Sequence, residues 1–142
     1  MIDPVEALIS LALTDAGLAA LVGDRISLRH KFGAGQGDWP LGSKALTFRW
    51  DSGNADPYIE VQTPRIEARC YGESFYEAGK VYQALVAWSR SVERLQVETS
   101  QGMALVYYAL MDSAPGMFID PDLGAETLLV FMEAAVAEPA TA

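Results

Sequence analysis

Apolar and polar positions change period several times along the 142-residue chain, and those changes divide it into elements. In "DPVEALISLAL" the residues Val5, Leu8, Ile9 and Ala12 recur at helical spacing. Asp3 stands at the N-cap, Pro4 at the first helical position and Glu6 where a capping box places its acid. Thr14 or Asp15 recaps a short second piece, "DAGLAALV", which Gly23 stops. Arg25 to Phe32 reads as a strand with Ile26, Leu28 and His30 on one side. A glycine-rich connection follows, "GAGQGDWPLGSKA"; its spacing is not that of a phosphate loop, and Trp39 within it needs a surface to pack on.

Leu46, Phe48 and Trp50 alternate with Thr47 and Arg49, which predicts a second strand, and Asp51 to Pro57 form a turn cluster. Two extended pieces lie around Pro64, which cannot donate to a ladder and marks an edge, bulge or bend. In the second piece Arg65, Glu67 and Arg69 face one way and Ile66, Ala68 and Cys70 the other. Gly72 stops the strand. Ser74 and Glu77 predict another capping box, opening a helix to about Ser91 with an apolar stripe of Phe75, Ala78, Val81, Tyr82, Leu85, Trp88 and Val92. "RLQVETSQGMALVYYALM" reads as a hairpin turning near Gln101-Gly102. Asp112 to Ala125 reads as a second long loop, and Glu126 to Ala137 as a closing strand.

This order predicts an α+β fold: a mainly antiparallel sheet of about five or six strands with two helices packed on one face. Residues 1–142 form a single domain on this reading, with a frayed tail from about 138.

Met103 to Met111 carries no polar side chain except two tyrosines, and Thr127 to Met132 is nearly as apolar. A strand with water on one face should alternate, so both faces of these strands need cover. The long loops supply it, or copies of the same protein do. The second account predicts a stable oligomer, because burying each apolar side chain is worth about 1.5–3 kcal/mol.

Composition narrows the chemistry. Apolar residues make up 51% of the chain and charged residues 20%, which is a globular balance. Cys70 is the single cysteine, so no intramolecular disulfide forms, and a reducing cytoplasm is the expected compartment. No apolar run reaches the ~18–20 residues of a membrane span.

The net charge of −9 is uneven: residues 25–69 carry seven Lys/Arg against five Asp/Glu, whereas 95–142 carry seven acids and no Lys or Arg. Tight nucleic-acid binding by phosphate neutralisation is thereby disfavoured. The acidic third reads as a solubilising surface, or as one that stays near nucleic acid without sticking.

No catalytic constellation emerges. His30 sits in a strand pattern, and one His with one distant Cys does not make a zinc site. Cys70 reads as a small buried hydrophobe. Asp120 and Asp122 in "DPDLG" miss the calcium-loop spacing and read as turn formers. Arg65 and Arg69 flank Glu67, which predicts surface pairing or contact with another subunit.

"KALTFRWDSGNADPYIEVQTPRIEARCYGESFYEAGKVYQAL", with the earlier "ALVGDRI" and the later "DPDLGAETLLVFMEAAV", resembles the tail terminator or tail completion family of long-tailed bacteriophages and phage-like particles. The likeness runs from about Pro4 to Val136 and rests on structural motifs; the Gly33–Gly37 loop has no match. It implies a virion protein assembled in the bacterial host cytoplasm, with no enzymatic activity, cofactor, metal or membrane.

Its implied form is a ring, usually hexameric, that stops tail-tube polymerisation and docks tail to head. The implied partners are its own copies, the tail tube protein and a head-completion protein, with DNA passing through unbound. Phe32, Trp39, Arg65, Arg69, Tyr107 and Tyr108 are then the expected subunit or partner contacts, and Glu126, Glu133 and Glu138 the channel-facing acids. Two other readings are a small ligand-binding or enzymatic α+β domain with its pocket under the Trp39 loop, and another ring of the same particle, a head-completion adaptor or tube subunit.

Overall fold

The computed structural model describes residues 2–55 and 61–138. Helices α1 (Pro4–Ala12) and α2 (Ala16–Val22) lead into strands β1 (Ile26–Ser27), β2 (Ala45–Ala55) and β3 (Val61–Tyr71). Helix α3 (Phe75–Ser91) and strands β4 (Glu93–Thr99), β5 (Gly102–Met111), β6 (Gly116–Ile119) and β7 (Glu126–Ala137) complete the order. The strands make one seven-stranded sheet, β1-β2-β3-β7-β5-β4, with β6 also paired to β7. Among the described strands only β1–β2 is parallel and the other strand pairs are antiparallel, with an isolated parallel bridge between Phe32 and Trp39.

The helices cover one face of this sheet. α3 lies on β3, β5 and β7, α1 reaches β2 and β4, and α2 packs on α3. Val5, Leu8, Leu18, Val81, Leu85 and Trp88 meet Phe48, Ile66, Ala68, Cys70, Val130 and Met132 in one buried core. The α+β class and mainly antiparallel sheet match the sequence reading, with the recapped "DAGLAALV" piece present as a third helix of seven residues.

Several local expectations change. The strand expected at Arg25–Phe32 is only Ile26–Ser27, because β1 pairs with just Leu46 and Thr47. Beyond it the chain leaves the ladder and carries His30 and Phe32 over the other face, against Tyr71. β2 does not end at Trp50 but runs to Ala55 through a register shift between Trp50 and Ser52. Gly53 follows with φ +140, and a Cβ there would stand 2.5 Å from the Thr63 carbonyl oxygen. Only glycine fits that backbone and that approach. Pro64 sits opposite Gly53 inside β3 itself, a strand flanked by β2 and β7. The remainder of the expected turn, with Tyr58 to Glu60, lies outside the described residues. The second long loop contains β6.

Both capping boxes form by half. Asp3 Oδ1 accepts from the Val5 amide at 2.9 Å, but Glu6 reaches away to accept from the Ser100 amide at 2.7 Å. Ser74 Oγ accepts from the Glu77 amide at 3.4 Å, while the Glu77 carboxylate pairs with Lys44 at 3.0 Å and Lys80 at 3.3 Å. In each case a tertiary cation or amide outcompetes the local backbone. The hairpin tip is thereby fastened to α1, and the Asp3 amide donates to Gln101 Oε1 at 2.7 Å beside it.

Candidate functional site: the second face of the sheet

The face without helices is divided into three zones. At one end the chain covers itself. Phe32 and Trp39 stack edge to face at 5.3 Å, and Phe32 and Tyr71 at 5.4 Å. Ala45 and Leu123 complete this small second core. Trp39 is 7% exposed, so the two loop residues expected at a subunit contact pack largely within their own chain.

Beneath them Asp120 is fully buried. Its Oδ2 accepts from Arg69 Nη1 at 3.2 Å and from the Tyr71 hydroxyl at 3.3 Å, and its Oδ1 from the Asp122 amide at 2.9 Å. Asp120 is thus a turn former, as its sequence context predicts, and also the anchor of two side chains that its sequence context does not reveal. Burial pushes the Tyr71 hydroxyl above its ordinary pKa. Burial alone would lower the Arg69 guanidinium, but its bonds to Glu67 and Tyr71 outweigh that and raise it.

The middle zone is ionic over aromatic. Arg65 lies 3.4 Å from Asp112 and 3.7 Å from Asp51, and its guanidinium sits 4.3 Å above the Phe131 ring. Arg69 pairs with Glu67 as well as Asp120 and stands 5.1 Å from the Phe118 ring centre. Arginine planes over rings cover apolar surface that water would otherwise meet. The two arginines are therefore committed within the chain, Arg65 with much of its side chain still exposed.

The third zone belongs to β5 and the end of β7. A register shift between Val106 and Tyr108 lets Val106 and Ala109 both enter the core. Tyr108 then lies opposite Ala135 on the second face; burial first, and then the neighbouring Glu133 carboxylate, raise its hydroxyl pKa. Met103, Tyr107 and Leu110 are exposed, and Leu105, Leu129 and Phe131 half-buried. Of the two kinds of cover the sequence left open, the chain's own loops supply one end of this face, arginines lie over the middle, and the uncovered apolar surface is confined to this zone.

The three acids expected to face a channel are not equivalent. Glu133 and Glu138 are exposed. Glu126 Oε2 instead accepts from the Phe75 amide at 2.7 Å, capping α3 from the start of β7. Cys70 is buried and its thiol is pushed up by burial, as a core residue should be.

Where the first two zones meet the β1–β2 edge, a cleft of about 550 Å³ opens. Leu28, Arg29, His30, Thr47, Arg49, Trp50, Arg69, Tyr71 and Asp122 line it. Sequence reasoning missed this site, although the basic balance of residues 25–69 in an acidic chain was a signal for it. A smaller hollow of about 160 Å³ lies by Phe32, Leu41, Tyr71 and Leu123, next to the Trp39 loop. Ligand-type atoms of His30, Asp120 and Asp122 approach within 4.8 Å of one another. The Arg69 guanidinium on Asp120 opposes a second cation there.

No family model matches the chain, and no curated protein matches its sequence. Among solved structures it is similar to a chain from the virion of a native gene transfer agent particle. The TM-score is 0.57 at 18% identity, covering 93% of this chain and 92% of that one. The two share a fold over nearly their whole lengths.

Proposed function

We propose that this chain is a structural protein of a phage or phage-like particle. It forms a hexameric ring that caps the tail tube, ends tube growth and joins tail to head. The observation that carries this reading is the fold shared end to end with a gene transfer agent virion chain. The exposed apolar zone of β5 is consistent with it, because such surface marks contacts between proteins. No catalysis is required of it. Its partners are its own copies, the tail tube protein and a head-completion protein, with DNA passing through.

Within the ring, exposed Tyr107 and half-buried Tyr108 and Arg65 supply contact surface. Glu133 and Glu138 are the exposed acids that approach the channel and repel phosphate.

Light scattering and negative-stain images of the purified protein, alone and with tail tube protein, test the proposal. Short closed rings that cap tube ends are the expected result. Long polymers would make it a tube subunit. A permanent monomer that ignores tube ends would overturn the reading. The cleft by His30 favours one other account, a small anionic ligand, and native mass spectrometry retaining a metabolite would support that instead.

A further inference from the structure

The cleft at the β1–β2 edge carries an excess of cations. Arg29 and Arg49 are exposed and have no ion pair or hydrogen bond among the described residues. One polar atom beside them, His30 Nδ1, is buried without a hydrogen-bond partner. Asp122 is the one carboxylate in the lining. Unpaired arginines beside an unsatisfied imidazole nitrogen form a site shaped for carboxylates, which accept the guanidinium fork through both oxygens. In a chain of net charge −9, such a site is out of balance with its surroundings.

The complement lies at the opposite edge of the same sheet. β4 is an outer strand whose exposed Glu93 and Glu98 stand opposite Tyr108 and Met103. That register puts both acids on the second face, the face of the cleft. Arg94 lies between them, at φ +51. Exposed Met103 and Leu110 share that face with the acids, and exposed Leu28 and Trp50 line the cleft with the arginines. Each edge thus presents charge beside apolar surface, with opposite signs.

We propose that the cationic cleft receives the acidic β4 edge of a second copy of this chain. Three strands, β3, β7 and β5, separate the two edges within one molecule, so a copy cannot satisfy itself. Different patches on the two partners make the contact head to tail, which closes into a ring when the rotation per copy divides a full turn. This inference rests on the ring reading above and names its contact.

Charge swapping tests it. The double variants Arg29→Glu/Arg49→Glu and Glu93→Lys/Glu98→Lys are each expected to self-associate at least about ten-fold more weakly than the native chain. An equimolar mixture of the two is expected to recover assembly, because every contact then alternates opposite charges. Circular dichroism of each variant checks folding. Native-like assembly of either variant alone overturns the inference while leaving the ring intact. So does a mixture of two folded variants that stays dissociated while the native chain assembles. A native chain that never self-associates overturns both readings. Binding of citrate or a short DNA duplex to the native chain, lost in the arginine variant while assembly persists, would reassign the cleft to a small anion or to nucleic acid.

Discussion

Arg69 and Asp120, far apart in sequence, meet at 3.2 Å, and the carboxylate they share with Tyr71 has no exposed surface. This one acid holds the β6–β7 connection against β3 and fixes two side chains of the cleft lining, Arg69 and Tyr71. Asp120→Ala leaves the Tyr71 phenol without its acceptor and the Arg69 guanidinium with Glu67 alone, and is expected to cost about 2–4 kcal/mol. Asp120→Asn keeps the turn but loses the charge and is expected to cost about half as much. Urea unfolding of the two variants measures both. Losses below about 0.5 kcal/mol would mean that the pair is incidental.

Gly53 offers a second test, of backbone rather than charge. Its φ of +140 is disfavoured for any residue with a Cβ, and that atom would meet Thr63 O, Pro64 Cα and Arg65 N all within 3.0 Å. Gly53→Ala is expected to destabilise by about 2 kcal/mol or more, since strain and overlap act together. Gly102 also has positive φ, at +119, yet nothing lies within 4 Å of its would-be Cβ. Gly102→Ala is therefore expected to cost less. Thermal melts that rank the two the other way would show that β2 yields at its bulge.

The elements that sequence pattern located are those whose partners are supplied by periodicity alone. The stripe of Val81, Leu85 and Trp88 faces a sheet whatever that sheet's order, and the alternation of Ile66, Ala68 and Cys70 gives the core side of β3. What escaped depends on contacts distant in sequence. Glu6 fits a capping box locally but is drawn to Ser100 on the hairpin. His30 fits a strand by alternation, yet the ladder ends at Ser27 for want of a neighbour. Apolar positions on both sides of β5 pointed to missing cover without saying how much the chain itself supplies. Two register shifts and a pair of arginines lying over rings decide that, and neither leaves a short-range signal. The cleft was hidden for the same reason: Arg29, Arg49 and Arg69 come together only once β1, β2 and β3 are aligned.

Cys70 separates the native from the unfolded chain by reactivity. It is fully buried in the core of β3, and burial raises its thiol pKa, so both access and thiolate are suppressed. A thiol reagent at mildly alkaline pH is expected to leave the native protein unlabelled and to react at once in denaturant. Labelling rates in intermediate denaturant should follow the population of open molecules. Rapid labelling in native buffer would mean that α3 does not stay closed over the sheet.

The clamp between α1 and the hairpin tip gives the fold a pH dependence of known sign. Hydrogen bonds from Ser100, side chain and then backbone, hold the Glu6 carboxyl below its ordinary 4.5, despite a small opposing effect of burial. A folded-state pKa lowered in this way adds stability that is whole above the ordinary value and is lost as pH falls through the lowered one. Glu77 behaves alike, lowered chiefly by its bond to Lys44. Glu6→Gln keeps an acceptor for the Ser100 amide but cannot ionise. The variant is expected to be less stable than the native chain at neutral pH, with the gap closing as pH falls below the ordinary 4.5 and the native carboxylate takes up its proton. Denaturant melts across that range check the sign directly. Parallel curves for the two proteins would show that the charge on Glu6 contributes nothing beyond a neutral hydrogen bond to Ser100.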